Sequence, residues 1–167
     1  EGISSKWKDV EAWVITELSE WNAAQTKNFL KIQGICGHAQ GLSTARAISY
    51  HAGSGKSFTA KYYQAHNRNV LYLCCMGDMT KGQLLKKLCQ TMGLPHHHRV
   101  GQMLDDIIQK LNKLNKPLLI FDEFDEVSNN ALRVFKDIYN RCKCGFVLMG
   151  GVHLKQRIMK GVQGSKQ

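Results

Sequence analysis

His51-Ala-Gly-Ser-Gly-Lys-Ser57 is the stretch that decides the fold. Gly53 and Gly55, on either side of Ser54, free the backbone to curl into a nest of N–H groups. A helix pattern opens directly afterwards, so the positive end of its dipole adds to the attraction for phosphate. Lys56 is placed to reach the β- and γ-phosphates of a nucleoside triphosphate, and Ser57 offers a hydroxyl to Mg²⁺. The run Ala52, Gly53, Ser54, Gly55, Lys56, Ser57 and Phe58 is therefore read as the nucleotide-binding loop. The usual pattern opens with a glycine five residues before Gly55; this chain has Tyr50 there. The plainer alternative is a glycine turn without ligand. It leaves the strand before the loop and the helix after it unexplained.

A second stretch completes the first. Leu118-Leu-Ile-Phe-Asp-Glu-Phe-Asp125 reads as a buried strand ending in carboxylates. Asp122 follows four apolar residues and should emerge at the strand tip, where a carboxylate can hold Mg²⁺ through water. Glu123 comes next and points elsewhere, which suits a base that polarises an attacking water. Ser57 and Asp122 are thus the metal-holding pair, and Glu123 with Lys56 the catalytic pair. Asp125 and Glu126 read as a solvated loop or a cap for the next helix.

Alternating elements surround the two motifs. Residues 5–24 carry Trp7, Val10, Val14, Leu18 and Trp21 at helical spacing. Gly34 to Gly41 is glycine-rich and aperiodic and reads as a loop, with Ile35 either near an adenine base or part of a connector. Strands are expected at 45–50, 69–75, 117–121 and 145–150. Helices are expected at 56–66, 80–92, 102–114, from Ser128 or Asn129 to about 142, and from about His153. The order β-α-β-α-α-β-α-β calls for a mainly parallel sheet between two helical layers, an α/β/α architecture. Both motifs then fall at the carboxyl ends of strands, where such sheets bind ligands. The last strand ends in Met149-Gly-Gly-Val-His153, leaving His153 as the polar candidate for sensing a γ-phosphate. Arg157 is a candidate finger toward a neighbouring subunit, set against an ordinary surface arginine.

Composition narrows the setting. The 167 residues are 43% hydrophobic and 22% charged, which suits one globular domain. No apolar run is long enough to cross a bilayer, and no signal peptide is evident, so a cytoplasmic protein without a membrane role is expected. The six cysteines include the adjacent pair Cys74 and Cys75, poor geometry for a disulfide framework; they read as reduced core thiols. Cys142-x-Cys144 has no second pair at zinc spacing. His96-His97-His98 reads as a solvated loop. The net charge is +10, and residues 133–167 alone hold eight Lys/Arg against one Asp/Glu. That imbalance argues for a polyanionic partner, with a generic basic surface as the alternative. Lys81, Lys86 and Lys87 on one helix are either phosphate-tracking or a solvated face. The chain begins at Glu1 and runs out at Gly161 to Gln167 without a closing element, so a piece of a longer protein is expected.

At these residues the chain resembles the AAA+ superfamily of P-loop ATPases. Ala52 to Ser57 is similar to their nucleotide loop, Leu118 to Asp125 to their acidic strand, and Phe146-Val-Leu-Met-Gly150 to their sensor strand. Within the superfamily the texture of residues 28–160 resembles the transposition-helper ATPases, the B-protein of Mu-like phages and related transposon ATPases. The resemblance implies a P-loop NTPase fold with residues 28–167 as the nucleotide-binding core and 1–27 as an N-terminal helical extension. It implies Mg-dependent ATP hydrolysis, homo-oligomers on DNA, and a transposase as protein partner. It also implies a helical lid with a second sensor arginine, for which no segment after residue 160 provides. Two other readings stay open: a helicase-type ATPase, and a nucleotide-gated interaction switch with little hydrolysis.

Overall fold

The computed structural model describes residues 24–163, apart from 78, 96 and 98. The expected helix at 5–24 lies outside the described residues, as does the tail after 163. Four strands form the sheet: β1 (Ala45–Ser49), β2 (Val70–Cys74), β3 (Leu118–Asp122) and β4 (Gly145–Gly150). Their order in space is β1-β4-β3-β2, and every pairing is parallel. Helices α1 (Lys27–Leu42) and α2 (Lys56–His66) cover one face. Helices α3 (Lys81–Thr91), α4 (Val100–Lys113) and α5 (Asn129–Arg141) cover the other, and α6 (Leu154–Gln163) follows β4. Among the described residues, no helix is long and apolar enough to cross a membrane.

Strand alternation builds both faces at once. Ile48, Leu118, Ile120, Val147 and Met149 pack toward α1 and α2, together with Ile32, Cys36 and Ala39. Leu73, Leu119, Phe121 and Phe146 pack the opposite way, against Leu84, Leu88, Ile107, Val134 and Ile138. A sheet buried on both faces needs near-continuous apolar strands, and β3 meets this with all five residues buried. The chain crosses from β1 at one edge to β2 at the other through α2, then returns through β3 to β4 on the opposite helical layer. The loops after β1 and after β3 therefore diverge to opposite faces, which opens a crevice at their carboxyl ends.

The glycine-rich stretch 34–41 is helical, where the sequence reading expected a loop. Residues Phe29, Ile32, Cys36 and Ala39 recur at three- and four-residue spacing and are buried against the sheet. That burial outweighs the roughly 1 kcal/mol that each glycine costs in a helix. Thr26 caps the start by accepting from the Phe29 N–H at 3.1 Å. Ile35 is half-buried against this same core rather than standing at a base-binding loop. Gln40 ties the layer together: it accepts from the Tyr63 hydroxyl at 2.7 Å and donates to the Arg68 and Lys116 carbonyls. The other elements match the sequence reading within two residues at either end. Thr80 and Gln83 form a capping box on α3, and the Ser128 hydroxyl caps α5.

All six cysteines are free. Burial pushes the Cys36, Cys75 and Cys144 thiols up to about 12, so they behave as small core hydrophobes.

Two glycines make the packing testable. A Cβ at Gly145 would collide with the Ala39 backbone carbonyl, whereas one at Gly34 would meet nothing within 4 Å. Gly145→Ala should lower stability by about 1–3 kcal/mol. Gly34→Ala should raise it by about 0.5–1 kcal/mol, because it lies inside a helix. Urea unfolding of both variants checks the signs; no gain at position 34 would contradict the helix.

Candidate nucleotide site

The loop between β1 and α2 has the conformation its glycines permit. Gly53 has φ 75° and Gly55 φ 80°, both left-handed, and Gly55 is the N-cap of α2 without any side-chain cap. The first N–H groups of α2 are thus left for a ligand. Tyr50 departs from the usual glycine without disturbing this. Its side chain packs toward α1, where the Lys31 ammonium lies 5.7 Å from the ring centre, and only its backbone serves the loop.

Among the described residues, the buried polar or charged side chains are Lys56, Thr59 and Asp122. Thr59 is satisfied within α2, donating to the Gly55 carbonyl at 2.8 Å. Lys56 donates to the Tyr50 carbonyl at 3.0 Å, the His51 carbonyl at 3.1 Å and the Ser54 hydroxyl at 3.4 Å. The ion pairs among the described residues, His97 with Asp106 and Arg141 with Asp105, lie elsewhere. Lys56 is therefore a buried cation without an anion, and Asp122 a buried anion without a cation. Burying an unpaired charge is costly, and a site that does so with both signs is chemically matched to an anion carrying a metal cation.

Asp122 ends β3, as the sequence reading placed it. Its Oδ2 accepts from the Tyr72 hydroxyl at 2.7 Å, and its Oδ1 from the Glu123 N–H at 3.1 Å. Glu123 is exposed, and its backbone is left-handed, φ 52°, which turns it away from the strand direction. Partial desolvation raises its carboxyl above the ordinary value, the charges of Asp122 and Asp125 add to this, and Lys56 opposes it. Ser57 is half-buried at the start of α2, and Phe58 is exposed on its outer side, 6.4 Å from the Tyr62 ring. Ala52 is exposed in the loop.

β4 runs between the two motifs, and its tip is pinned from both sides. The Ser49 hydroxyl donates to the Gly151 carbonyl at 2.7 Å, and the Gly151 N–H donates to the Asp125 carboxylate at 3.2 Å. A Cβ at Gly150 would run into that carboxylate. Asp125 is thus a clasp between strands, where the sequence reading expected a solvated loop or cap. His153 is exposed in the turn after β4. Arg157 is not a free surface arginine: it donates to the Val127 carbonyl at 2.8 Å, and its Nε is buried. Lys87 likewise is spent within the fold, donating to the Cys74 carbonyl at 2.6 Å, while Lys86 stays exposed.

Sequence reasoning missed Tyr72 and the Asp125 clasp. Tyr72 carried one signal, a hydroxyl-bearing ring inside an apolar strand, which needs a polar partner when buried. Its partner became visible only through the register that sets Cys74 of β2 beside Asp122 of β3.

Residues 48–158, well over half of the chain, match the model of the AAA domain. The chain belongs to the AAA domain family. A P-loop ATPase core of this family unites the loop at 51–57 with the strand at 118–122 in one parallel sheet. Among solved structures, the fold of this AAA domain is similar to that of a chain in the structure of Drosophila ORC bound to GC-rich DNA and Cdc6, with a TM-score of 0.53 at 12% identity. The alignment covers 85% of this chain and 57% of that one, so the chain spans little more than half the length of that relative in fold. No curated protein sequence matches it.

Removing the clasp should loosen the tip of β4. Asp125→Ala should cost about 1–3 kcal/mol, the range for a hydrogen bond to a charged group. Denaturant unfolding reads the loss, and a change within 0.5 kcal/mol, about what a plain surface substitution gives, would deny the clasp a structural role.

Proposed function

We propose that this AAA domain binds ATP with Mg²⁺, hydrolyses it, and works on DNA as an oligomerising helper of a transposase. The observation that carries the nucleotide reading is the burial of Lys56 and Asp122, each without an opposite charge, beside an uncapped helix N-terminus. A triphosphate would take the N–H groups of residues 53–57, and Lys56 would turn its ammonium from the Tyr50 and His51 carbonyls to phosphate oxygens. Ser57 and Asp122 would hold Mg²⁺, which supplies charge neutralisation on the phosphates when bound. Glu123, exposed and with a raised carboxyl pKa, would accept a proton from the attacking water. Phe58 and Ala52 would flank the loop.

The DNA reading rests on charge. The net charge is +10, and Arg133, Lys136, Lys143 and Lys155 are exposed on or beside the helices around β4. The Drosophila ORC assembly that resembles it in fold is bound to GC-rich DNA, which favours testing DNA before other polyanions. The transposase role and the homo-oligomer rest on the resemblance of the motifs alone, and the 1–27 and 28–167 division is part of the same proposal.

A second reading, a nucleotide-gated switch with little turnover, is favoured by the tip of β4. It presents Gly150 and Gly151 where a polar sensor would be useful, and the nearby Arg157 is engaged within the fold.

Three measurements separate these readings. Lys56→Ala should weaken nucleotide binding by at least tenfold in a fluorescent-ATP titration; retained affinity would remove the case for the loop. Glu123→Gln should keep ATP binding and lose hydrolysis, whereas an unchanged rate would remove the base assignment. DNA affinity should fall steeply between low and moderate salt, log–log linear, as phosphate-tracking contacts require. A flat profile would count against DNA contact through lysine and arginine.

A further inference from the structure

Tyr72 stands where the proposed chemistry has no use for it. It lies on β2, half-buried, with its hydroxyl donating to Asp122 Oδ2 at 2.7 Å. The ring is held in place from outside, the Lys61 ammonium lying 5.6 Å from its centre. The phenol oxygen therefore sits directly on Asp122, one of the two side chains read above as the metal-holding pair.

That position matters because of how Mg²⁺ binds. The ion demands octahedral geometry and keeps several of its waters, so a carboxylate at a strand tip reaches it through a metal-bound water. Such a water donates to the carboxylate and so needs a free acceptor position on Asp122. Asp122 is 1% exposed, and its other oxygen accepts from the Glu123 N–H. The phenol takes one of the acceptor positions on Oδ2, where a metal-bound water would have to compete with it. It satisfies a buried carboxylate that otherwise has neither cation nor donor on that oxygen, which is a reason for the hydroxyl to be there.

We infer that the Tyr72 phenol is a built-in occupant of the metal site, held on Asp122 until Mg²⁺ arriving with a nucleotide displaces it. The inference rests on the assignment of Ser57 and Asp122 as the metal-holding pair. Tyr72 acts through Asp122 and sets the concentration at which Mg²⁺ takes hold. Tyr72 is half-buried on an edge strand, so displacement needs only its hydroxyl to move off Asp122. The phenol makes metal loading a competition, so an empty domain keeps its acidic tip satisfied and commits to Mg²⁺ only with the nucleotide present.

The test compares the whole chain with Tyr72→Phe. A fluorescent ATP analogue is titrated in EDTA and then across a Mg²⁺ series, with thermal unfolding confirming that the variant folds. The expected result is a nucleotide affinity in EDTA within twofold of the unsubstituted chain and a half-saturating Mg²⁺ concentration lowered about fivefold or more. An unchanged Mg²⁺ midpoint overturns the inference. A raised midpoint also overturns it, because it would make the phenol an orienting partner of Asp122 rather than a competitor. Failure of the unsubstituted chain to bind the analogue at all would instead sink the nucleotide reading. The unsubstituted chain gives a second readout should Tyr72→Phe not fold. Nitration of Tyr72 by tetranitromethane, mapped on peptides, should rise at least threefold when Mg²⁺ is added to the nucleotide-bound chain. No rise overturns displacement.

Discussion

A buried ammonium without a carboxylate is the constraint on which the loop depends. Lys56 is held by the carbonyls of Tyr50 and His51 and by the Ser54 hydroxyl, three neutral acceptors from its own loop. Neutral acceptors satisfy the donors but leave the charge uncompensated in a region of low dielectric. The loop keeps a left-handed path at Gly53 and Gly55, open to glycine without strain, and its carbonyls converge on one ammonium. Asp122 poses the mirror problem across β4, and Tyr72 and the Glu123 N–H answer it in the same neutral way. The two unpaired charges are kept in readiness by dipoles, which gives the site its affinity for a ligand carrying both signs.

The parallel sheet makes this arrangement possible. Because β4 lies between β1 and β3, the two charged tips are separated by one strand and cannot simply pair with each other. The tip of β4 is fixed between them by Ser49 on one side and Asp125 on the other. Gly150 and Gly151 follow from that clasp, since a side chain at 150 would occupy the place of the Asp125 carboxylate. The absence of a polar residue at the tip thus has a packing reason. The same closeness that anchors the strand leaves no room for a sensor side chain at position 150.

Much of the fold was legible because local signals agreed. The strand patterns at 69–75, 117–121 and 145–150 and the Ser128 cap each point to the element that forms. The glycine-rich α1 was illegible for the opposite reason. Gly34, Gly37 and Gly41 argue locally against a helix, and only burial of Ile32, Cys36 and Ala39 under the sheet overrides them. Arg157 and Lys87 were misjudged because a basic side chain that ends on a backbone carbonyl looks the same in sequence as one that faces solvent.

The sequence by itself determined the nucleotide loop, the acidic strand and the alternation that demands a parallel sheet, because these are set by residue type and spacing along one chain. The tertiary structure alone decided the strand order, and with it which side chains meet at the site. Tyr72 reaches Asp122 because β2 pairs with β3 in a register no local pattern encodes, and Asp125 reaches Gly151 because β4 returns beside β3. Side-chain contacts between strands depend on backbone pairing over long separations, and that is settled by packing of the whole sheet between its two helical layers.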